Sequence, residues 1–69
     1  MEKKIICLRL SANDGCTIIN TREIEQIYEN TDKDGLPVSH ICFKSGEYTV
    51  VKETLEEIVR EWFGLREEE

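Results

Sequence analysis

The fold is decided by residues 38–63, which read VSHICFK at 38–44, SG at 45–46, EYTVVK at 47–52 and ETLEEIVREWF at 53–63. Two runs rich in β-branched and aromatic residues flank Ser45 and Gly46, and a glycine can take the positive φ that a two-residue hairpin loop requires. The pattern therefore predicts two antiparallel strands followed directly by a helix.

A two-residue loop also fixes the register of this hairpin, because antiparallel partners are counted outward from the turn. It pairs Phe43 with Tyr48 and Ile41 with Val50, and we predict that these four side chains form a core face. The opposite face is then predicted to carry His40, Cys42, Lys44, Glu47, Thr49 and Val51.

The segment after the hairpin carries the signals of a helix start and a helix stop. Thr54 and Glu57 have the spacing of a capping box, in which each side chain accepts a hydrogen bond from the other residue's backbone amide. Apolar residues then recur at helical spacing, and Gly64 stands where a left-handed C-cap is expected. We predict a helix that folds back over the core face of the hairpin.

The N-terminal part predicts another hairpin. Residues 4–12 alternate, which predicts a strand with an apolar face at Ile6, Leu8, Leu10 and Ala12. A turn cluster at 13–15 leads to a second strand at Cys16–Asn20. A three-residue loop pairs Leu10 with Ile18. In that register Ile19 faces outward, and the residues on the core side are Cys16, Ile18 and Asn20.

Residues 20–31 allow two interpretations. Asn20 can cap a single turn at Thr21–Glu23, after which residues 24–29 form a short strand, and we favour this interpretation. The rival is a full helix over residues 21–29, because Ile24, Ile27 and Tyr28 have one-turn helical spacing.

Composition bounds the class of protein. The 69 residues are 39% hydrophobic and 35% charged, the balance of one folded domain over residues 1–69, and the like-charge tail at 66–69 is expected to fray. The net charge of −6 argues against direct nucleic-acid binding and against an anionic membrane surface, because both depend on Lys and Arg. Without a long apolar run, a secretory leader or a disulfide pattern, we expect a cytoplasmic protein with reduced thiols.

The order of elements resembles the small FlbD-type proteins of flagellar gene clusters and a wider set of short proteins built alike. The likeness rests on Gly15, the Ile19-Asn20 step, the Ser45-Gly46 turn and, most specifically, the block 50–58, which reads VVKETLEEI. The resemblance implies a meander of strands closed by a C-terminal helix, no enzymatic activity and a supporting or regulatory role. This chain departs from it in a longer connection at 31–38, in its three cysteines and in its acidic tail.

His40 and Cys42 are the side chains that could carry chemistry. They project from one face of a strand, so that Cys7 or Cys16 could complete a tetrahedral metal site, or Cys42 could act as a nucleophile. The spacing matches no zinc module and no orienting carboxylate is marked, so ordinary packing of these residues is the simpler interpretation. We therefore predict no metal, no cofactor and no enzymatic activity.

Trp62 and Phe63 are the first candidates for a contact surface. Consecutive helical residues point about 100° apart, so if Trp62 packs inward then Phe63 lies at the border of the core. A border aromatic is either a core margin or part of a binding surface, where aromatics concentrate binding energy. The other interaction candidates are the two outward-facing residues and three helix carboxylates: Val51, Ile19, Glu56, Glu57 and Glu61. The carboxylates are otherwise the solvated face of the helix.

Taken together, these patterns predict an α+β domain, an antiparallel meander of four or five strands with one C-terminal helix, either open or curled into a small SH3-like barrel. The function they favour is a small acidic, non-catalytic protein-interaction module that forms a homo-oligomer. The first alternative is a phage-type or mobile-element inhibitor, an anti-CRISPR or anti-defence protein, whose carboxylates, including the 67–69 tail, occupy a basic nucleic-acid-binding site. The second is a sponge that holds a nucleotide or other small ligand between subunits, which the scarcity of basic residues disfavours.

Overall fold

This computed structural model describes residues 2–64, which contain five antiparallel strands and one α-helix. The elements are β1 (Ile5–Arg9), β2 (Cys16–Asn20), a 3-10 turn (Thr21–Glu23), β3 (Ile24–Thr31), β4 (Pro37–Phe43), β5 (Tyr48–Val51) and α1 (Leu55–Phe63). The strands form two sheets, β1-β2 and β3-β4-β5. The predicted α+β meander with a C-terminal helix is confirmed, and within these residues it does not close into the alternative barrel. The acidic tail at 66–69 lies outside the described residues.

Helix α1 begins and ends as the sequence predicts. The Thr54 hydroxyl accepts a hydrogen bond from the Glu57 amide at 3.2 Å, and the Glu57 carboxylate accepts one from the Thr54 amide at 2.9 Å. Gly64 takes a φ of 68°, and its amide donates to the Arg60 carbonyl. The inward face of the helix carries Ile58, which is fully buried. The capping box and the C-cap are therefore confirmed.

The two sheets are joined through β1 and β5. Leu10 and Val51 form an antiparallel bridge, and the Lys52 amide donates to the Arg9 carbonyl at 2.8 Å beside it. Because of this junction, both sheets and the helix contribute to one buried cluster, which consists of Ile6, Leu8, Ile19, Ile41, Val51 and Ile58.

The β4-β5 loop is one residue longer than predicted. The Phe43 amide donates to the Glu47 carbonyl at 2.8 Å, and the Gly46 amide donates to the Phe43 carbonyl at 2.9 Å. Gly46 takes a φ of 97°. This is a three-residue hairpin loop with a glycine in the left-handed bulge position. The predicted two-residue loop is therefore wrong.

This shift of one residue turns β5 over, since its side chains alternate between the faces of the sheet. Ile41 is buried as predicted, but its partner is Thr49 and not Val50. Val51 is fully buried, so the prediction that it faces outward is wrong. Tyr48, predicted in the core, is 66% exposed.

The loop of the β1-β2 hairpin is also one residue longer than predicted, and it begins earlier in the chain. The Leu10 amide donates to the Gly15 carbonyl at 2.9 Å, so residues 11–14 form a four-residue loop. Leu10 thus lies opposite Gly15 and not opposite Ile18. Ile19 is buried, and the prediction that it faces outward is wrong. The prediction of a core position is also wrong for three exposed residues, Cys16, Ile18 and Asn20.

A β-bulge explains the helical spacing of apolar residues in β3. The pairing of β3 with β4 shifts register between Ile24 and Gln26, which leaves Glu25 as an extra residue. Ile24 and Ile27 are three residues apart and still both pack against the core. The strand interpretation is confirmed, and the rival helix over residues 21–29 is wrong.

The N-terminal residues run along the end of the helix. The Lys3 amide donates a 2.6 Å hydrogen bond to the Trp62 carbonyl, and the Trp62 indole N–H donates to the Glu2 carboxylate at 3.0 Å. The first and last parts of the described chain are therefore adjacent in space.

The observed register predicts different responses at two adjacent valines. Val51→Thr should lower the free energy of unfolding by about 1–3 kcal/mol, because it buries a hydroxyl in place of a methyl group. Val50→Thr changes a half-buried residue and should have a smaller effect. Urea denaturation of both variants at equal concentration measures the difference. A larger loss for Val50→Thr would contradict this register.

Candidate functional site

The first exposed surface is the outer face of the β1-β2 hairpin. Cross-strand partners on an antiparallel pair share a face, so three pairs point away from the core together, and we name them the hairpin face: Ile5 with Asn20, Cys7 with Ile18, and Arg9 with Cys16. Ile5 is 62% exposed and Ile18 is 72% exposed. Exposed aliphatic groups that lie together on a small domain are typical of a contact surface.

The hairpin face is close to neutral. Its six residues include no carboxylate, and the Arg9 guanidinium lies 3.1 Å from the largely buried Glu53 carboxylate. The pKa of the Cys7 thiol is raised above its ordinary value because neighbouring groups displace part of its water and because the Cys16 thiol and the Glu53 and Glu61 carboxylates disfavour a thiolate. Cys7 is therefore protonated at neutral pH and behaves as a small apolar group.

The second exposed surface is on the outer face of the β3-β4-β5 sheet, where three rings stack across three strands. The ring centroids of Tyr28 and His40 are 5.0 Å apart and those of His40 and Tyr48 are 6.2 Å apart, with interplanar angles of 16° and 8°. Tyr28 is the cross-strand partner of His40, whereas Tyr48 lies opposite Cys42. We name Tyr28, His40 and Tyr48 the aromatic face.

The residues considered for a metal or nucleophilic site are divided between these two surfaces. His40 belongs to the aromatic face and Cys42 lies beside it, whereas Cys7 and Cys16 lie on the hairpin face of the other sheet. In the described part of the chain, no group of three or more His, Cys, Asp or Glu side chains is placed to hold a metal ion. The geometry therefore does not assemble the ligand set that the sequence left open.

Trp62 and Phe63 lie together at the end of the helix. Their ring centroids are 5.2 Å apart and their planes are nearly parallel. Trp62 packs against the core, and Phe63 is 38% exposed. The arrangement with Trp62 inward and Phe63 at the border is found, and a role of this pair in binding stays a prediction.

The other predicted interaction residues are three exposed helix carboxylates and two core residues. Glu57 belongs to the capping box, Glu56 lies 2.9 Å from the Arg60 guanidinium, and Glu61 lies 3.7 Å from the Lys3 ammonium. Each of these carboxylates thus has a partner within the chain. The remaining two candidates, Val51 and Ile19, lie together in the core cluster.

Sequence reasoning missed both exposed surfaces because it assigned Ile18 and Tyr48 to the core. One signal could have found Tyr48, since Gly46 suits the third position of a three-residue loop. A loop of that length places Tyr48 on the outer face of the sheet.

Comparisons of this chain with protein-family models, with curated proteins and with solved structures find no match. Among residues 2–64, no helix has the length and apolar character needed to cross a membrane. The resemblance to FlbD-type proteins stays a prediction from the sequence.

The raised pKa of Cys7 predicts slow alkylation of this thiol near neutral pH. In dilute folded protein, Cys7 should react with iodoacetamide more slowly than in the urea-unfolded chain, because the thiolate is the nucleophile and a raised pKa leaves less of it. The midpoint of the pH–rate profile should lie higher in the folded protein, and Cys16→Ala should lower it by removing a neighbouring thiol. Peptide mass spectrometry follows the reaction. A folded-state midpoint at or below the unfolded one would contradict the assignment.

Proposed function

We propose that this chain is a small, non-catalytic protein-interaction module that pairs with a second copy of itself through the hairpin face. The observation that carries the proposal is the exposure of Ile5 and Ile18 on a face without a carboxylate, in a chain whose net charge is −6. A supporting or regulatory role, as the FlbD-type resemblance implies, would use such a module.

Electrostatics favours the hairpin face as the surface of self-contact. Two copies of a chain with this net charge repel one another, and the repulsion is strongest where carboxylates approach carboxylates. The hairpin face lessens this repulsion, because the two carboxylates that act on it, Glu53 and Glu61, are paired with Arg9 and Lys3. The aromatic face, in contrast, is bordered by Glu25 and Glu47.

The small core supplies a further driving force for pairing. Among residues 2–64, the buried apolar side chains are Ile6, Leu8, Ile19, Val38, Ile41, Val51 and Ile58. A domain of about 60 residues buries a small share of its surface and is correspondingly marginal in stability. Covering Ile5 and Ile18 in both copies would bury four more isoleucines, each contributing roughly 1.5–3 kcal/mol when fully buried.

A two-fold axis suits the geometry of the hairpin face. In a two-fold dimer the same patch of each copy meets the other, so a neutral and apolar patch is complementary to itself. The faces of two sheets pack by inserting side chains between one another. Ile18 lies opposite Cys7, where it is available for such packing.

The alternative of an acidic inhibitor has less support from the arrangement of charges. The helix carboxylates that would face a basic site have partners within the chain, and the 67–69 tail lies outside the described residues. A cytoplasmic location is part of our proposal, because exposed Cys7 and Cys16 stay reduced in that compartment.

Ile18→Thr should convert a dimer into a monomer. Threonine keeps the β-branched shape that suits a strand but removes apolar surface, and the change occurs twice in a two-fold dimer. A loss of roughly 3 kcal/mol corresponds to a dissociation constant raised about a hundredfold. Native mass spectrometry and sedimentation equilibrium measure it.

Two further variants make this experiment decisive. Leu36→Thr removes a similarly exposed side chain from a turn and should leave the dimer intact. Phe63→Ser tests the helix end as the rival interface. Dissociation by Phe63→Ser alone, or a wild-type protein that is monomeric throughout, would refute pairing through the hairpin face.

A further inference from the structure

The aromatic face borders a shallow depression of about 360 Å³ that the proposed self-pairing does not use. Its walls include two carboxylates and the three stacked rings, with a thiol between them: Glu25, Glu47, Tyr28, His40, Tyr48 and Cys42. Among the described residues that line it, none is a lysine or an arginine. The depression therefore combines ring surfaces with negative charge.

The bulge in β3 brings one of the carboxylates to this surface. A bulge places two residues opposite one partner residue and so redirects a side chain relative to a regular strand. Glu25 is the extra residue, located between Ile24 on the core side and Gln26 opposite Cys42. The irregularity thus adds a carboxylate to the wall of the depression.

The second carboxylate comes from the other side of the depression. Glu47 follows the β4-β5 loop, whose glycine at position 46 also lines the depression. The same three-residue loop exposes Tyr48, the end member of the ring stack, which is 66% accessible to solvent. One loop therefore positions both a charge and a ring.

Neither carboxylate has a cationic partner among residues 2–64. The ion pairs in that part of the chain are Lys3–Glu61, Arg9–Glu53, Lys52–Asp14 and Arg60–Glu56. Glu25 and Glu47 belong to none of them. They differ in this respect from Glu56 and Glu61 of the helix and, within residues 2–64, are available to a cation.

We propose that this depression binds the side chain of an arginine presented by a partner protein. Ring faces attract cations through their quadrupole, and a guanidinium also forms parallel hydrogen bonds with carboxylates. Arginine suits the site better than lysine because its planar group both stacks on rings and donates in a fork. The net charge of −6 attracts a basic partner from a distance.

The test is a titration followed by NMR of the ¹⁵N-labelled protein. The probe is the capped peptide Gly-Gly-Arg-Gly-Gly, and the control peptide carries citrulline, which has nearly the same shape without the charge. The arginine peptide should give saturable shifts centred on Tyr28, His40, Tyr48 and Glu47, and these should weaken as salt is added. Absence of saturable shifts, or equal binding of the citrulline peptide, overturns the proposal.

Two substitutions in the depression and one outside it locate the interaction. Glu47→Gln and Tyr48→Leu should each raise the dissociation constant of the arginine peptide roughly threefold, as expected for exposed ion pairs and cation–π contacts. The control Asp34→Asn removes the same charge from the turn at the opposite end of β4 and should leave binding unchanged. An equal loss for Asp34→Asn would overturn the site in favour of a general charge effect.

The outcome is independent of self-pairing. The hairpin face and the depression belong to different sheets, so a monomeric Ile18→Thr protein should bind the arginine peptide as the wild type does. Loss of peptide binding in that variant, with the fold retained, would contradict a site contained within one copy.

Discussion

The pairing of Leu10 with Val51 is the contact on which the rest of the structure depends. An isolated two-stranded hairpin is at best marginally stable in water, and this bridge is the contact that pairs the β1-β2 hairpin with the other sheet. With it, Ile6 of one sheet and Ile41 of the other share a core with Ile58 of the helix. Because each sheet uses one face in this core, each leaves its opposite face to solvent. The two exposed surfaces thus follow from a single junction.

The parts of the fold that depend on neighbouring residues could be predicted from the sequence. The capping box at Thr54, the C-cap at Gly64 and the short turn after Asn20 are all decided within a few residues. The pairing registers of the strands were harder to predict. Side chains of a strand alternate between its two faces, and the length of the hairpin loop decides which of these faces is buried. One extra residue in the β4-β5 loop put Val51 in the core in place of Tyr48, and the longer β1-β2 loop put Ile19 there in place of Ile18.

The candidate surfaces were harder to predict than the fold, because each is assembled from residues on different strands. Tyr28, His40 and Tyr48 become neighbours only when both registers of the three-stranded sheet are known. The glycine at position 46 carried a signal for one of these registers. The bulge at Glu25 carried none, since no glycine or proline marks it, and periodicity alone was consistent with a helix there.

The adjacency of Lys3 and Trp62 has a consequence for how this domain could be combined with others. Residues 3 and 62 lie side by side, so a short connection could join them and a new opening could be made in the turn at 32–36 without changing the order of strands in space. For the same reason, a host protein could carry the domain as an insertion in one of its loops. In such an insertion the host protein would lie beside the hairpin face, because Ile5 is two residues from Lys3 and the Glu61 carboxylate, next to Trp62, acts on Cys7.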